Sequence, residues 1–270
     1  MFENAFNLKF NLHKAYVDIG IGDDNLVRLA QAYDIPQQDI GGILEEFLAE
    51  NKKNAASILT DFPDIQMNTE NKVKITYIGD SITSDRISHQ RIMECILEPY
   101  KNIEMRDFSI SGWKVSDVMT AYYPGIAEFA PDAAVIMIGT NDMRITDDEF
   151  KYHHTNIGEF ERDLSYVVSK LTKANCAVIL CTLPPFCMDK MTPALPGWNI
   201  LYTREDKEIY DGVIIKTAKK YNSKLVDMRA IYDSFNPAEI TIEDGLHLNA
   251  AGQTMLAKEV FKKLIKLLKK

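Results

Sequence analysis

From Val73 onward the chain alternates two kinds of hydrophobic pattern. Five short runs, VKITYI (73–78), IEMRDF (103–108), AAVIMI (133–138), AVILCT (177–182) and KLVDM (224–228), have the length and composition of strands. The third and fourth are nearly continuously apolar, as expected of strands covered on both faces within a parallel sheet. Between the runs, apolar residues recur at helical spacing over roughly 86–99, 114–122, 155–174 and 203–221, and again from Asn249 to the C-terminus. This alternation implies right-handed crossovers and predicts a doubly wound, three-layer α/β/α sandwich on a five-stranded parallel sheet. Ligands in such sheets bind outside the carboxyl ends of the strands.

The first 70 residues break that alternation. They read as two or three helices, with Pro36, the pair Gly41 and Gly42, and a polar linker DIQMNTENK at 64–72. The division expected is a helical N-terminal extension over 1–70 and an α/β domain over 71–270. LAQAYDIPQQDIGGIL (29–44) has helix-turn-helix spacing, with Ala30, Ile35, Ile40 and Leu44 at its apolar positions. Yet Arg28 is the only basic residue between 22 and 50, against Asp23, Asp24, Asp34, Asp39, Glu45, Glu46 and Glu50. DNA affinity rests largely on Lys and Arg meeting phosphates, so a plain helical hairpin and no nucleic-acid partner are expected. The net charge of -8 points the same way.

No apolar run approaches the roughly 20 residues that span a bilayer. The start, MFENAFNLKFNLHKAYVDIG, lacks the basic and then apolar stretch of a secretion signal. A cytoplasmic location is expected, and a secreted one only if a leader has been removed. The last helix, ending VFKKLIKLLKK, has lysines suited to the negative end of a helix dipole, and no lipid is needed to explain them. Cys95, Cys176, Cys181 and Cys187 have no zinc-like spacing, so no metal is expected. Cys176 and Cys181 bracket CAVILC and read as buried small hydrophobes.

Four turn-like stretches change the picture. IGDSITSD (78–85), ISGWKVSD (110–117) and IGTNDMR (138–144) follow the first three strands, and EDGLHLNAAG (243–252) precedes the last helix. Each alone is common punctuation. Together they hold the parts that acyl transfer needs. Serine attacks at neutral pH only when a base takes its proton, and Ser81 stands just past the first strand. Among His13, His89, His153, His154 and His247, only His247 combines a loop position with a carboxylate three residues earlier, Asp244. His153 and His154 read as a solvated helix start, and His13 and His89 carry no partner motif. An Asp so placed orients the imidazole and stabilises the imidazolium. The backbone N–H groups of Ser81 and Gly112 and the side-chain amide of Asn141 are the candidate oxyanion donors. Asp80 and Asp142 read as loop-fixing acceptors.

As an ordered set these stretches resemble the SGNH hydrolase superfamily, the GDSL-like esterases and lipases. The matching residues are Gly79-Asp80-Ser81, Gly112, Gly139-x-Asn141-Asp142 and Asp244-x-x-His247. The resemblance covers 73–270 and implies a flavodoxin-like SGNH fold and no cofactor. It makes Ser81 the nucleophile, His247 the base, Asp244 its orienting partner, and Gly112 and Asn141 oxyanion donors. The family often has a Gly soon after GDSIT where this chain has Ser84-Asp85, and here Trp113 follows Gly112.

The long segment PPFCMDKMTPALPGWNILY (184–202) matches a region that helps wall the substrate site in this family. Phe186, Trp198 and Tyr202, with Trp113, are candidates for a sugar-stacking or acyl-binding surface; alternatively they pin loops to the body. Tyr122 and Tyr123 share that ambiguity. The activity expected is hydrolysis, through an acyl-enzyme, of a short acyl ester such as an acetyl group on a carbohydrate or related alcohol. Lysophospholipase, thioesterase and acyltransferase activities would use the same residues. A non-catalytic binding or sensor module is the alternative of another class.

Overall fold

The computed structural model describes residues 7–16, 25–65, 71–146, 152–194 and 200–268. Trp198 lies outside the described residues. Five parallel strands, β1 (Val73–Gly79), β2 (Ile103–Ser109), β3 (Ala133–Met137), β4 (Ala177–Cys181) and β5 (Lys224–Val226), form one sheet in the order β2-β1-β3-β4-β5. The register pairs Gly79 with both Ser109 and Met137, so β1, β2 and β3 end side by side. The chain turns in opposite directions from β1 to reach its two neighbours. A crevice therefore opens at the carboxyl ends of these three strands.

Side chains two apart on a strand share a face. On one face Ile75, Tyr77, Val135, Met137, Ile179 and Cys181 meet a helix at His89–Leu97 and the last helix, Ala250–Leu268. On the other, Ile78, Ala134, Ile136, Val178 and Leu180 meet the helices Val115–Ala121, Ile157–Lys173 and Arg204–Lys220. These two cores complete a flavodoxin-like α/β/α sandwich of the SGNH type. The helix starts are fixed locally: Asn156 and Thr203 cap theirs by accepting the N–H of Glu159 and of Asp206, each at 3.0 Å. The helix expected from 86 begins instead at His89. Residues just before it are held in a turn by Asp85, which accepts the Ile87 N–H at 2.8 Å, and Ser88 supplies the cap. Cys176 and Cys181 are buried free thiols, pushed up to about 12 by burial.

The N-terminal extension contains α1 (Leu26–Tyr33) and α2 (Gln37–Leu59), joined across Asp34–Pro36. Leu8, Leu29, Tyr33, Ile35 and Ile40 make a small core of their own. The far end of α2 enters the main core through Ala55 and Ile58. Ahead of α1, residues Leu8–Asn11 run along the carboxyl end of the sheet. Arg86 donates its backbone N–H to the Lys9 carbonyl at 2.9 Å and its Nε to the Leu8 carbonyl at 3.1 Å.

Candidate active site

β1 delivers the chain to the crevice. A side chain at Gly79 would place a Cβ 2.7 Å from the Met137 carbonyl oxygen, so glycine alone lets the turn close over the end of β3. Asp80 then caps a four-residue helix, α3 (Ser81–Ser84), its Oδ1 accepting the Ile82 N–H at 3.0 Å. Ser81 opens that helix with its hydroxyl 2.7 Å from Nε2 of His247.

His247 comes from the loop before the last helix, which can now be numbered in order. With His89–Leu97 as α4, Val115–Ala121 as α5, Ile157–Lys173 as α6 and Arg204–Lys220 as α7, the last helix is α8 (Ala250–Leu268). The loop is pinched shut by a bridge between Thr241 and Leu248 and by the Ile242 N–H donated to the His247 carbonyl at 2.9 Å. Inside it, Asp244 Oδ2 lies 2.5 Å from His247 Nδ1, while Oδ1 accepts the N–H groups of Leu246 at 2.9 Å and His247 at 3.0 Å. Burial would raise the Asp244 carboxyl, but the His247 charge and these hydrogen bonds outweigh it and hold the group below its usual value. An ionised carboxylate on Nδ1–H leaves Nε2 facing the serine hydroxyl as an acceptor. Such an imidazole can take a proton from Ser81 and return it to a leaving group.

The second and third loops are tied to each other. Gly112 has φ +84, a conformation that side chains rarely adopt, so the turn presents bare backbone there. Asn141 is buried, and its Nδ2 donates to the Trp113 carbonyl at 3.0 Å. That bond fixes the amide, whose other N–H is the one able to meet an oxyanion. Asp142 ties the loops together by accepting the Val115 N–H at 3.2 Å. Burial pushes the Asp142 carboxyl up to about 7, against the opposing pull of Thr155 and the Val115 N–H. Burial likewise raises Asp80 to about 6. These two carboxyls hold loops, whereas Asp244 holds the imidazole.

Tyr202 is 2 % exposed, its ring 5.4 Å from that of Phe186, which fits the pinning alternative and not a sugar-stacking surface. Phe186 is half-buried on a cleft of about 520 Å³ shared with Arg204, Asp211 and Arg229. Trp113 is half-buried and lines a cleft of about 270 Å³ with His13, Lys14, Phe108 and Ile110. His153 and His154 are not a solvated helix start: His153 contacts Asp206 at 2.9 Å and His154 contacts Arg144 at 3.0 Å. His89 is fully buried, its backbone N–H on the Gln253 Oε1 at 2.9 Å.

Two contributors escaped the sequence reading. Gln253 on α8 is fully buried and donates Nε2 to the Ile82 carbonyl at 2.8 Å, locking the Ser81 turn to the helix that follows His247. Its one sequence signal is a lone amide on an otherwise apolar helix stripe. The other is Phe10, whose ring centroid lies 4.1 Å from that of His247. Nothing in its local sequence marks it.

Residues 77–255, about two thirds of the chain, match the GDSL-like Lipase/Acylhydrolase family, and the chain belongs to it. It is thereby classed with the SGNH/GDSL-type serine hydrolases acting on carboxylic esters. It is 29% identical over 153 residues to an acetylxylan esterase of Xylanibacter ruminicola, an alignment covering 48% of this chain and 28% of that protein. A GDSL esterase/lipase of Arabidopsis thaliana is 25% identical over 216 residues, covering 71% of this chain and 85% of the relative. The fold is similar to that of a catalytic mutant of an acetylxylan esterase from Geobacillus stearothermophilus (TM-score 0.59, 22% identity, covering 72% of this chain and 94% of that one).

Proposed function

We propose that the chain is a serine esterase that removes a short acyl group, acetyl foremost, from a carbohydrate or related alcohol. The observation that carries this reading is the single imidazole bridging Ser81 Oγ at 2.7 Å and Asp244 Oδ2 at 2.5 Å. In the first half-reaction His247 Nε2 takes the Ser81 proton as Oγ attacks the ester carbonyl. The N–H groups of Ser81, Gly112 and Asn141 receive the oxyanion, and Asp244 stabilises the imidazolium. His247 then gives its proton to the departing alcohol, leaving acyl-Ser81. Water attacks that ester with His247 again as base, which releases the acid and restores the serine.

The short acyl group and the sugar are supported by the acetylxylan esterase named among the relatives. The half-buried Trp113, following Gly112, agrees with a confined acyl site. The test is hydrolysis of p-nitrophenyl esters of increasing acyl length, together with acetylated xylose. Acetate should be turned over fastest, and Ser81→Ala should lower the rate by about 10⁴-fold or more. A preference for long acyl chains would overturn the proposed substrate; unchanged hydrolysis by Ser81→Ala would overturn the site.

A further inference from the structure

The α/β body holds the His247 imidazole by its two nitrogens, Nδ1 against Asp244 and Nε2 against Ser81. The lone pair and the N–H of an imidazole lie in its ring plane, so neither bond resists a tilt about the line joining the nitrogens. The χ2 torsion of a histidine is broad and adds little resistance of its own. A side chain from outside the family-matched residues 77–255 bears on that tilt. Phe10 is 1 % exposed and inclined 35° to the His247 ring, with 4.1 Å between centroids.

Phe10 is itself anchored to the loops around it. Ser111, next to Gly112, donates Oγ to the Phe10 carbonyl at 2.5 Å. Arg86 donates its N–H to the Lys9 carbonyl at 2.9 Å and its Nε to the Leu8 carbonyl at 3.1 Å. Asn11 donates Nδ2 to the Ser84 carbonyl at 2.6 Å, and Lys9 pairs with the fully buried Asp85. The ring on His247 is therefore registered against the turn that carries Ser81. From this placement we infer, building on the esterase reading above, that Phe10 is a positioning residue for the base, fixing the tilt of the imidazole. It touches no substrate and acts through His247 alone.

Acylation asks two transfers of Nε2. It takes the Ser81 proton as the Oγ–C bond forms, and it gives that proton to the alcohol oxygen as the C–O bond of the ester breaks. The first transfer follows a hydrogen bond already made at 2.7 Å. The second must find an oxygen that no bond of the resting site holds in line, so it depends most on where the ring points. Misplacement of a reacting group by an ångström costs about 10²-fold, and a loosened ring should cost part of that.

The test compares p-nitrophenyl acetate with benzyl acetate on the full chain. The two are similar in size, but nitrophenolate leaves without a proton, whereas the far more basic benzyl alkoxide leaves only as it is protonated. Active enzyme is counted by titration with a fluorophosphonate. Phe10→Ala should raise the ratio of kcat/KM for p-nitrophenyl over benzyl acetate by about tenfold, a fraction of what general acid catalysis supplies, with KM little changed. Phe10→Leu, which keeps apolar volume but not a flat ring, should fall between and carries the reading if Phe10→Ala does not fold. Asn11→Ala, which loosens the anchored segment without touching His247, should move the ratio in the same direction by less. A merely structural role would lower both esters in proportion. A ratio that stays constant or falls in the folded variants overturns the inference. Ser81→Ala run beside them separates the two levels: if it keeps full activity, the esterase site itself is wrong, whereas an inactive Ser81→Ala with an unmoved ratio removes only the role of Phe10.

Discussion

The α/β body and the N-terminal extension meet on His247, and they hold it by different physics. The body acts through regular structure. Three strands end in register, each delivers one loop to the crevice, and the backbone ladders and two apolar cores leave those loops little freedom. Among the described residues the extension has a core of five buried side chains, and residues 8–14 are fixed by hydrogen bonds to backbone carbonyls and by the ion pairs Lys9–Asp85 and Lys14–Asp107. The body therefore sets which reaction can occur. The extension covers one face of the imidazole that the body holds.

Loss of the base should be the largest effect. His247→Ala is expected to lower kcat on p-nitrophenyl acetate by about 10⁴-fold or more, with the folded state intact by circular dichroism. Asp244→Asn should follow at up to about 10⁴-fold, because the carboxylate that orients Nδ1–H is lost while the shape is kept. An equal loss on removing Phe10 would erase the distinction between the two regions.

Stability should separate them as well. Phe261 on α8 is fully buried in the larger core, its ring 5.1 Å from that of Phe62, and Phe261→Ala should cost about 4 kcal/mol of global stability in urea unfolding. Leu29→Ala, in the extension's own core, should cost about 2 kcal/mol. Hydrogen exchange should show where that loss falls. Amides of α1 should lose protection in Leu29→Ala while those of β3 keep theirs.

The last expected effect is a pH slope. The Asp142 carboxyl sits at about 7 in the folded chain, well above the roughly 4 of an unfolded Asp. The folded state thus holds the extra proton between these values, and the stability it contributes is complete below about 4 and is lost as pH rises toward 7. Asp142→Asn should flatten that part of the stability profile, measured as urea midpoint against pH. An undiminished slope would assign it to another group, such as Asp80.

The body was legible because its signals are local. AAVIM and AVILC announce strands buried on both faces, and the polar turns after β1 to β3 announce where chemistry can be placed. The family blocks marked four loops that the fold joins in pairs, Ser81 to His247 and Asn141 to Trp113. The extension was legible as helices but not as a cover on His247, since the contact of Phe10 with His247 joins opposite ends of the chain and MFENAFNLKF carries no periodicity that marks it. Gln253 was hidden for a similar reason: its partners, Ile82 and His89, are distant in sequence. Tyr202 left two readings open, stacking surface or pin to the body, because burial on Phe186 is a contact that an aromatic in a Pro-rich segment does not announce.

The central claim is that Ser81 carries the acyl group between the two half-reactions. The most direct measurement mixes the chain with p-nitrophenyl acetate, quenches in acid within the first turnover, and maps the modified peptide by mass spectrometry. One acetyl group on Ser81, formed with a matching burst of nitrophenol and absent from Ser81→Ala, is the result expected. Turnover with the acetyl group on another residue, or an equal burst from Ser81→Ala, would contradict the account.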